Sequence, residues 1–558
     1  MKEDMKGLYA AILLSMAVIF ATNWLFPKKQ AVPEASGEPA KVEVKAETAQ
    51  PIAVADKTAS APDIETILKA DKRVDIDNSA VRGSIRVKGA RFDELYLDKY
   101  KETMEADSGD VELLSPAQSK APYYAEFGFI DAENKLRLPD SETLWRVKGS
   151  KLTPQTPVVL EWDNGQGLKF IRKISVDDNY MFKIDQSVEN NTGRKISLYP
   201  YGLINKTHIE GENTTRVVHE GMSGVLDSTL KEIKYSSLKD DKKEEFKSNG
   251  GWAGFSDHYW FSALILDNNQ KSNVKFSKTG ENAYQTDFVG QPLTVENGSV
   301  GTTEHRFFAG AKEITLLDKY SKDLHIDKFD LAVDFGWYYF LTKPFFYILN
   351  FLYKFIGNMG WAILLFAALL RLAMFPVANK SYESMSKMKK VQPKIQSLQE
   401  KYKGDKMKLQ QEMMELYRKE KINPASGCLP MLIQIPVFFS LYKVLNIAIE
   451  IRHAPFIGWI KDLSAPDPLT ISVLTHIPVP GFLDIGIWPI VMGLTMYVQQ
   501  KLNPKPSNPD QARMFALMPL IFMFMLGHFA SGLVIYWTLS NILSIIQQKV
   551  IMKKIGVD

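Results

Sequence analysis

Between residues 61 and 330, apolar side chains recur at alternate positions in short runs. Beyond residue 335 they form long apolar blocks. In "LKFIRKISVDDNYMFKIDQSVENNT", Leu168 and Phe170, then Tyr180, Phe182 and Ile184, repeat at period two. Turns containing Asp, Asn and Gly separate such runs. Many short strands at this spacing predict a large antiparallel sandwich over 61–330. Asp163, Asp177 and Asp178 fall in or beside predicted turns, where Asp is expected on conformational grounds. No carboxylate pair stands out as an acid and base.

The apolar blocks predict six membrane spans, at about 7–26, 358–376, 429–449, 484–501, 514–530 and 532–551. The first runs into Trp24, Phe26 and Pro27, an aromatic interfacial ending rather than a small-residue cleavage site. Residues 1–27 therefore read as an uncleaved transmembrane anchor. Residues 28–60 are rich in Ala, Pro, Glu, Lys and Val and have no aromatics, the composition of a flexible linker. In "FGWYYFLTKPFFYILNFLYKF", Lys343, Asn350 and Lys354 share one helical face against an aromatic remainder. Residues 331–357 are thus predicted to form an amphipathic helix lying in the interface, with a break near Gly357. The five later spans make a core over 358–551, followed by a tail over 552–558.

Charge sets the orientation. The loop 377–428 holds 12 Lys/Arg and 6 Asp/Glu, whereas the only Lys/Arg in 450–483 are Arg452 and Lys461. By the positive-inside bias, 377–428 is cytoplasmic, both termini are cytoplasmic and the 61–330 domain lies outside. Within the loop, Met388, Val391, Ile395, Leu398 and Tyr402 step by 3, 4, 3 and 4, a heptad seam. Gly404 and Asp405 form a turn, and Leu409, Met413 and Leu416 supply a facing row. A helical hairpin with basic outer faces follows; an ordinary solvated spacer would show the same seam. Met385, Met388, Met407, Met413 and Met414 give it side chains that adapt to varied apolar partners.

Arg371 interrupts the block "WAILLFAALLRLAMFPVANK". A central arginine costs about 2.5–3.5 kcal/mol on insertion scales. It lies five residues before Pro376, about 8 Å in depth, so snorkelling would hide it. The other spans add a second observation. Gln434, Thr495, Tyr497, Gln499, Ser540 and Asn541 fall largely in the cytoplasmic halves of their spans, and apart from Asp484, at the outer edge of 484–501, no span contains Asp or Glu. Polar groups on several helices at one depth predict a hydrated groove, open to the cytoplasm, in which Arg371 lacks a resident counter-ion.

Composition narrows the classes. The formal net charge of +4 argues against a bulk nucleic-acid binder, and the lone Cys428 allows no intramolecular disulfide. A proton relay or cation channel would carry embedded carboxylates, and a secondary transporter commonly shows an internal repeat. An enzyme would need a nucleophile–base pair or a metal cluster. None of these is visible. An anion transporter using Arg371, or an assembly scaffold with Arg371 snorkelling, remain alternatives to a groove for membrane-protein clients.

Four stretches carry a resemblance: "LLRLAMFPVANKSYESMSKMKKVQPKIQSLQEKY", "QQEMMELYRKEKINPASGCLPMLIQIPVFFSLYKVL", "IRHAPFIGWIKDLSAPDP" and "FASGLVIYWTLSNILSIIQQ". They span most of 358–551 and resemble the YidC/Oxa/Alb membrane protein insertase family, in its Gram-negative form. The resemblance implies a polytopic α-helical protein of the bacterial inner membrane. It would have six spans, a five-span insertase core, and a large periplasmic β-supersandwich whose fold is related to sugar-binding proteins without implying sugar binding. It puts the groove arginine at Arg371 and client contacts on the spans holding Gln434 and Tyr536. The implied partners are nascent membrane proteins, the ribosome, the Sec translocon (SecYEG and SecDF) and the lipid bilayer, with no cofactor and no catalytic residue. Trp537 stands where the family motif has tyrosine, and Ala367 where it has a hydroxyl. Ile471 to Gly486 is longer than the family leads one to expect.

Overall fold

The structure, a computed structural model, describes residues 63–209, 218–238, 243–402, 404–420, 422, 429–504 and 509–557. The predicted anchor and linker over 1–60, and Cys428, lie outside the described residues.

After a short helix α1 (Ile64–Ala70), the chain builds two sheets. The first runs, in spatial order, β14 (Lys243–Asn249), β17 (Lys271–Lys278), β18 (Ala283–Val289), β11 (Ile196–Thr207), β5 (Tyr123–Ile130), β3 (Arg91–Lys101), β2 (Val81–Arg86), β1 (Arg73–Asp77) and β7 (Lys151–Leu152). β19 (Leu293–Val295) joins β11, and β4 (Asp110–Leu114) joins β3. The second runs β13 (Thr229–Lys234), β12 (Gly221–Leu226), β15 (Trp252–Ser256), β16 (Trp260–Ile265), β20 (Ser299–Ala311), β10 (Met181–Asn190), β9 (Leu168–Val176), β8 (Val158–Asp163) and β6 (Arg146–Lys148). Among the described residues only β1 and β7 pair in parallel.

The period-two pattern decides which faces meet. Along β9 the buried positions are Leu168, Phe170, Arg172, Ile174 and Val176; along β10 they include Phe182, Ile184, Gln186, Val188 and Asn190. Rings from both sheets interlock, with Phe92 on β3 lying 5.3 Å from Phe182 and 5.6 Å from Phe307. Each such burial contributes about 1.5–3 kcal/mol. The alternation also carries Arg172 inward, where apolar residues prevail. Its guanidinium donates to Gln186 Oε1 at 3.1 Å and to the carbonyls of Ala90 and Phe127, and burial pulls its pKa down to about 10. The turn aspartates do turn work: Asp177 accepts from the amides of Asn179 and Met181, and Asp163 from that of Gly165.

The helices follow: α2 (Ile314–Asp323), α3 (Tyr339–Ile356), α4 (Met359–Ala373), α5 (Phe375–Lys401), α6 (Lys406–Lys419), α7 (Leu429–Ile447), α8 (Ile471–Thr475), α9 (Ile487–Leu502), α10 (Pro509–Met525) and α11 (Ser531–Ile555). Their extents differ from the apolar blocks for physical reasons. α4 stops at Ala373 and α5 restarts at once, with Pro376 in its first turn and a bend of 67° between the two. α11 runs on past 551, because Lys553 and Lys554 suit a helix C-terminus and Gly556 takes the left-handed capping position at φ 71°. A hydrophobic count sees neither effect. Among the described residues no single helix is long and apolar enough to cross a membrane. The bent pair α4 and α5 passes that test together.

α3 does not lie free on its polar face. Lys343 bridges Asp318 at 2.8 Å and Asp330 at 2.6 Å, and Asn350 is buried. The aromatic face is open instead, with Phe340, Phe351 and Phe355 all exposed. The sheets are tied to the helices at the far end of α7. Lys443 pairs with Asp334 at 2.7 Å, His258 Nε2 donates to the Asn446 carbonyl at 2.5 Å, and Arg452 donates to the Glu102 carbonyl at 2.9 Å.

Candidate functional site

Arg371 sits in the last turn of α4. Its Nη2 donates to the hydroxyl of Tyr382 on α5 at 2.6 Å, and its guanidinium carbon lies 5.6 Å from that ring's centroid. Its Nε is buried without a hydrogen-bond partner. Among the described residues no carboxylate pairs with it. The cation is thus half-buried and held on one side by a neutral phenol. Such a group retains unused capacity for an anion or for water.

α11 packs against α4, α5, α7 and α9. It carries a polar stripe: Thr538, Asn541, Ser544 and Gln548 step by 3, 3 and 4, so they share one face, and all are buried. Polar groups buried on an apolar helix require partners. Thr538 and Ser544 find theirs within α11, at the Val534 and Ser540 carbonyls, and the others reach across helix boundaries. Gln434 Nε2 on α7 donates to the Tyr536 hydroxyl at 2.9 Å. Asn541 Nδ2 donates to Thr495 Oγ1 on α9 at 3.1 Å. Gln547 Nε2 donates to Asn379 Oδ1 on α5 at 2.6 Å, and Gln548 Nε2 to Asn503 Oδ1 at 3.1 Å. The Oε1 atoms of Gln547 and Gln548 remain buried and unpartnered, as does Arg371 Nε. The belt runs along α11 from Tyr536 to Gln548, and at Gln547 it reaches the start of α5, from which the hairpin continues.

Other predicted groove residues fall elsewhere. Trp537 packs in an apolar cluster, 4.6 Å from Phe438 and 5.8 Å from Phe522 between ring centroids. Tyr497 is exposed, with Lys501 Nζ 4.6 Å above its ring, so it faces away from the α9–α11 contact. Ser540 and Gln499 are half-buried, and the Ser540 carbonyl accepts from Ser544 Oγ at 2.7 Å. Sequence reasoning missed Tyr382 and Asn379. Both follow the bend at Met374, and only the bend returns them to Arg371 and α11.

α5 and α6 form the hairpin. Val391 and Ile395 are buried with Ile422, against Met388, Met413, Leu416 and Tyr417. Met388 and Met413 pack, partly buried, against the seam in which the heptad spacing puts them. Met407 and Met414 are exposed, and Met385 is half-buried. Among the described residues no group of three His, Cys, Asp or Glu could hold a metal ion. A cleft of about 590 Å³ in the β domain, bordered by Asp267, Asn269, Glu304, Arg306 and His325, contains none of the predicted site residues.

Comparison with known proteins bears on both parts of the chain. The family profile described as "60Kd inner membrane protein" matches residues 351–557, and that described as "YidC periplasmic domain" matches residues 73–348. Membrane protein insertase YidC of Beijerinckia indica subsp. indica is 46% identical over 590 aligned residues, covering 100% of this chain and 97% of that protein. Its counterpart in Brucella suis biovar 1 is 49% identical over 511 residues, covering 90% of this chain and 84% of that protein. A crystal structure of an active YidC insertase with its first transmembrane domain resolved covers 86% of this chain and 92% of its own, at 19% identity and a TM-score of 0.37. Two profiles that between them take in the sheets and the helices, with near-half identity along the chain, place it: the chain belongs to the YidC family of membrane protein insertases.

Proposed function

We propose that this chain inserts membrane proteins by receiving a client's polar tail at the belt around Arg371 and releasing its apolar segment into lipid. The observation that carries the reading is a half-buried arginine, without a carboxylate partner among the described residues, beside polar pairs that link α5, α7, α9 and α11. A client tail that enters this region exchanges lost water contacts for those of Gln434, Asn541 and their neighbours, and acidic residues in it meet Arg371. The cost of a charge falls with local hydration and shallower depth, so the barrier drops. Burial of the client's apolar span in lipid, at about 25 cal/mol per Å², drives release. An acidic tail moving outward gains about 2.3 kcal/mol per charge per 100 mV of membrane potential. No bond-making step is required.

In this reading the anchor over 7–26 and five core spans place both termini in the cytoplasm and the β domain in the periplasm. The lysine and arginine bias of the loops supports that orientation. The exposed Met407 and Met414 of the hairpin supply adaptable apolar contacts for nascent membrane proteins, with the ribosome and the Sec translocon as further partners.

The test is insertion of a short client with an acidic N-terminal tail into liposomes holding the purified protein. Arg371→Ala is expected to fail and Arg371→Lys to work. Equal insertion by Arg371→Ala, for acidic and neutral tails alike, overturns the role of the charge. The Tyr382 contact favours a second reading, in which Arg371 clips α5 to α4 across the 67° bend. In that case Arg371→Ala and Tyr382→Phe lose insertion equally, whatever the charge of the tail.

A further inference from the structure

The segment Ile471–Gly486 is not absorbed by the groove reading. It links α7's side of the bundle to α9, and it lies at the end facing the β domain. The preceding residues place it there: Arg452 donates to the Glu102 carbonyl at 2.9 Å, and the amide of Ser531 donates to the Ala465 carbonyl at 2.7 Å. The segment is pinned at its base, where Thr470 bridges Gly486 and the Ile471 amide donates to the Ile485 carbonyl at 3.1 Å.

Two features of the segment suit hydrocarbon, and the first conflicts with water. From Ile471 to Leu483 there is no Lys, Arg, Asp or Glu, while Val473, Leu474, Ile477 and Phe482 are 52%, 50%, 62% and 70% exposed. At the same time its polar side chains, apart from the exposed imidazole of His476, are tied up internally. The Asp484 carboxylate accepts from the Ser472 amide at 2.9 Å, the Ser472 hydroxyl at 2.5 Å and the Thr470 hydroxyl at 3.0 Å. Thr475 Oγ1 donates to the Ile471 carbonyl at 2.8 Å, and His528 Nε2 donates to the Gly481 carbonyl at 2.9 Å. Pro478 and Pro480 bring no amide donor. Turns of the β domain pair in the same way, as at Asp177, so water permits this arrangement; hydrocarbon requires it.

We propose that Ile471–Gly486 inserts its apolar tip into the acyl region of the bilayer leaflet on the β-domain side. The inference rests on the membrane reading of the helices. Lipid is chosen as occupant by continuity. The base of the segment sits on the corner between α10 and α11, where a Cβ at Gly527 would lie 2.5 Å from Ile485 Cγ2. Its apolar surface therefore runs on from the outward side chains of α10, among them Leu520, Ile521 and Met525, which are all exposed. The inserted tip holds the ends of α9 and α11 at a fixed depth, and those helices carry the Thr495–Asn541 bond of the polar belt.

The test uses the full chain in liposomes. In a Cys428→Ser background, single cysteines replace Phe482 or Ile477 and carry a polarity-sensitive bimane label. The liposomes contain lipids brominated on their acyl chains, which quench nearby labels. Two controls bracket the result: Leu494→Cys on the exposed apolar face of α9, and Glu105→Cys on the exposed surface of the β domain. Labels at 482 and 477 are expected to emit in the blue and to be quenched as strongly as the label at 494, several-fold more than that at 105. Solvent-like emission without quenching at 482 and 477, with 494 quenched, overturns the proposal and leaves the membrane reading intact. Absence of quenching at 494 as well overturns both.

Discussion

Arg371 donates to the hydroxyl of Tyr382 at 2.6 Å, across a bend of 67° between two helices that follow one another without a linker. The bond joins the last turn of one helix to a buried side chain of the next, so the guanidinium is fixed at the mouth of the polar belt. A hydrogen bond to a charged group contributes about 1.5–3 kcal/mol. Tyr382→Phe should therefore lower unfolding stability in detergent by about that amount. If Arg371 acts on the client rather than as a clip, insertion of an acidic-tailed client should fall less in Tyr382→Phe than in Arg371→Ala. The ratio of the two insertion yields is the quantity to measure.

Gln434 and Tyr536 meet at 2.9 Å between α7 and α11. Hydrogen bonds between membrane helices are worth about 0.6 kcal/mol on average, because alternative partners exist in the unfolded reference. A double-mutant cycle of Gln434→Leu and Tyr536→Phe should give a coupling of about 0.5–1.5 kcal/mol. A coupling of zero would mean that the two side chains serve clients or water and not one another.

Gly254 lies on β15, where an added Cβ would overlap the backbone carbonyl oxygen of Ser262 on the neighbouring strand. Backbone cannot step aside as a side chain can. Gly254→Ala should cost about 1–3 kcal/mol by overpacking. Gly109→Ala, with open space around the new methyl, should change stability by less than about 0.5 kcal/mol. Chemical denaturation of both variants checks the contrast.

His305 is buried between the sheets, where burial first and Arg172 second pull its pKa down to about 4 from its ordinary value of 6.5. The unfolded chain therefore binds more protons between those values, and stability rises with pH across that window. As pH falls from about 6.5 to about 4, a contribution on the order of 3 kcal/mol is lost. Glu450, pushed up to about 7 by burial, has the opposite slope over part of the same range. The informative quantity is the difference between the original and His305→Gln at each pH. That difference should shrink steadily as pH drops, and a difference independent of pH would exclude the histidine as the source.

What the sequence determined by itself was largely periodic. Alternation along Leu168–Val176 and Met181–Asn190 specified strands with one face inward, because side chains on a strand point to opposite sides. The heptad seam at Met388, Val391 and Ile395 specified the hairpin, and long apolar blocks specified where helices form. Those signals are local, and each needs only its own segment. Which polar residues meet was decided by tertiary structure. Arg371 and Tyr382 are eleven residues apart, and only the bend at Met374 brings them together. Gln434 and Tyr536 are 102 residues apart, and Trp537, next in the chain, turns into an apolar cluster because helical rotation sends successive side chains about 100° apart. Arg172 follows the inward alternation of its strand, yet only the facing Gln186 and two carbonyls make that burial tolerable. Period fixes which face a residue shares; the packing of distant elements fixes what that face touches, and it is the touching that sets the chemistry.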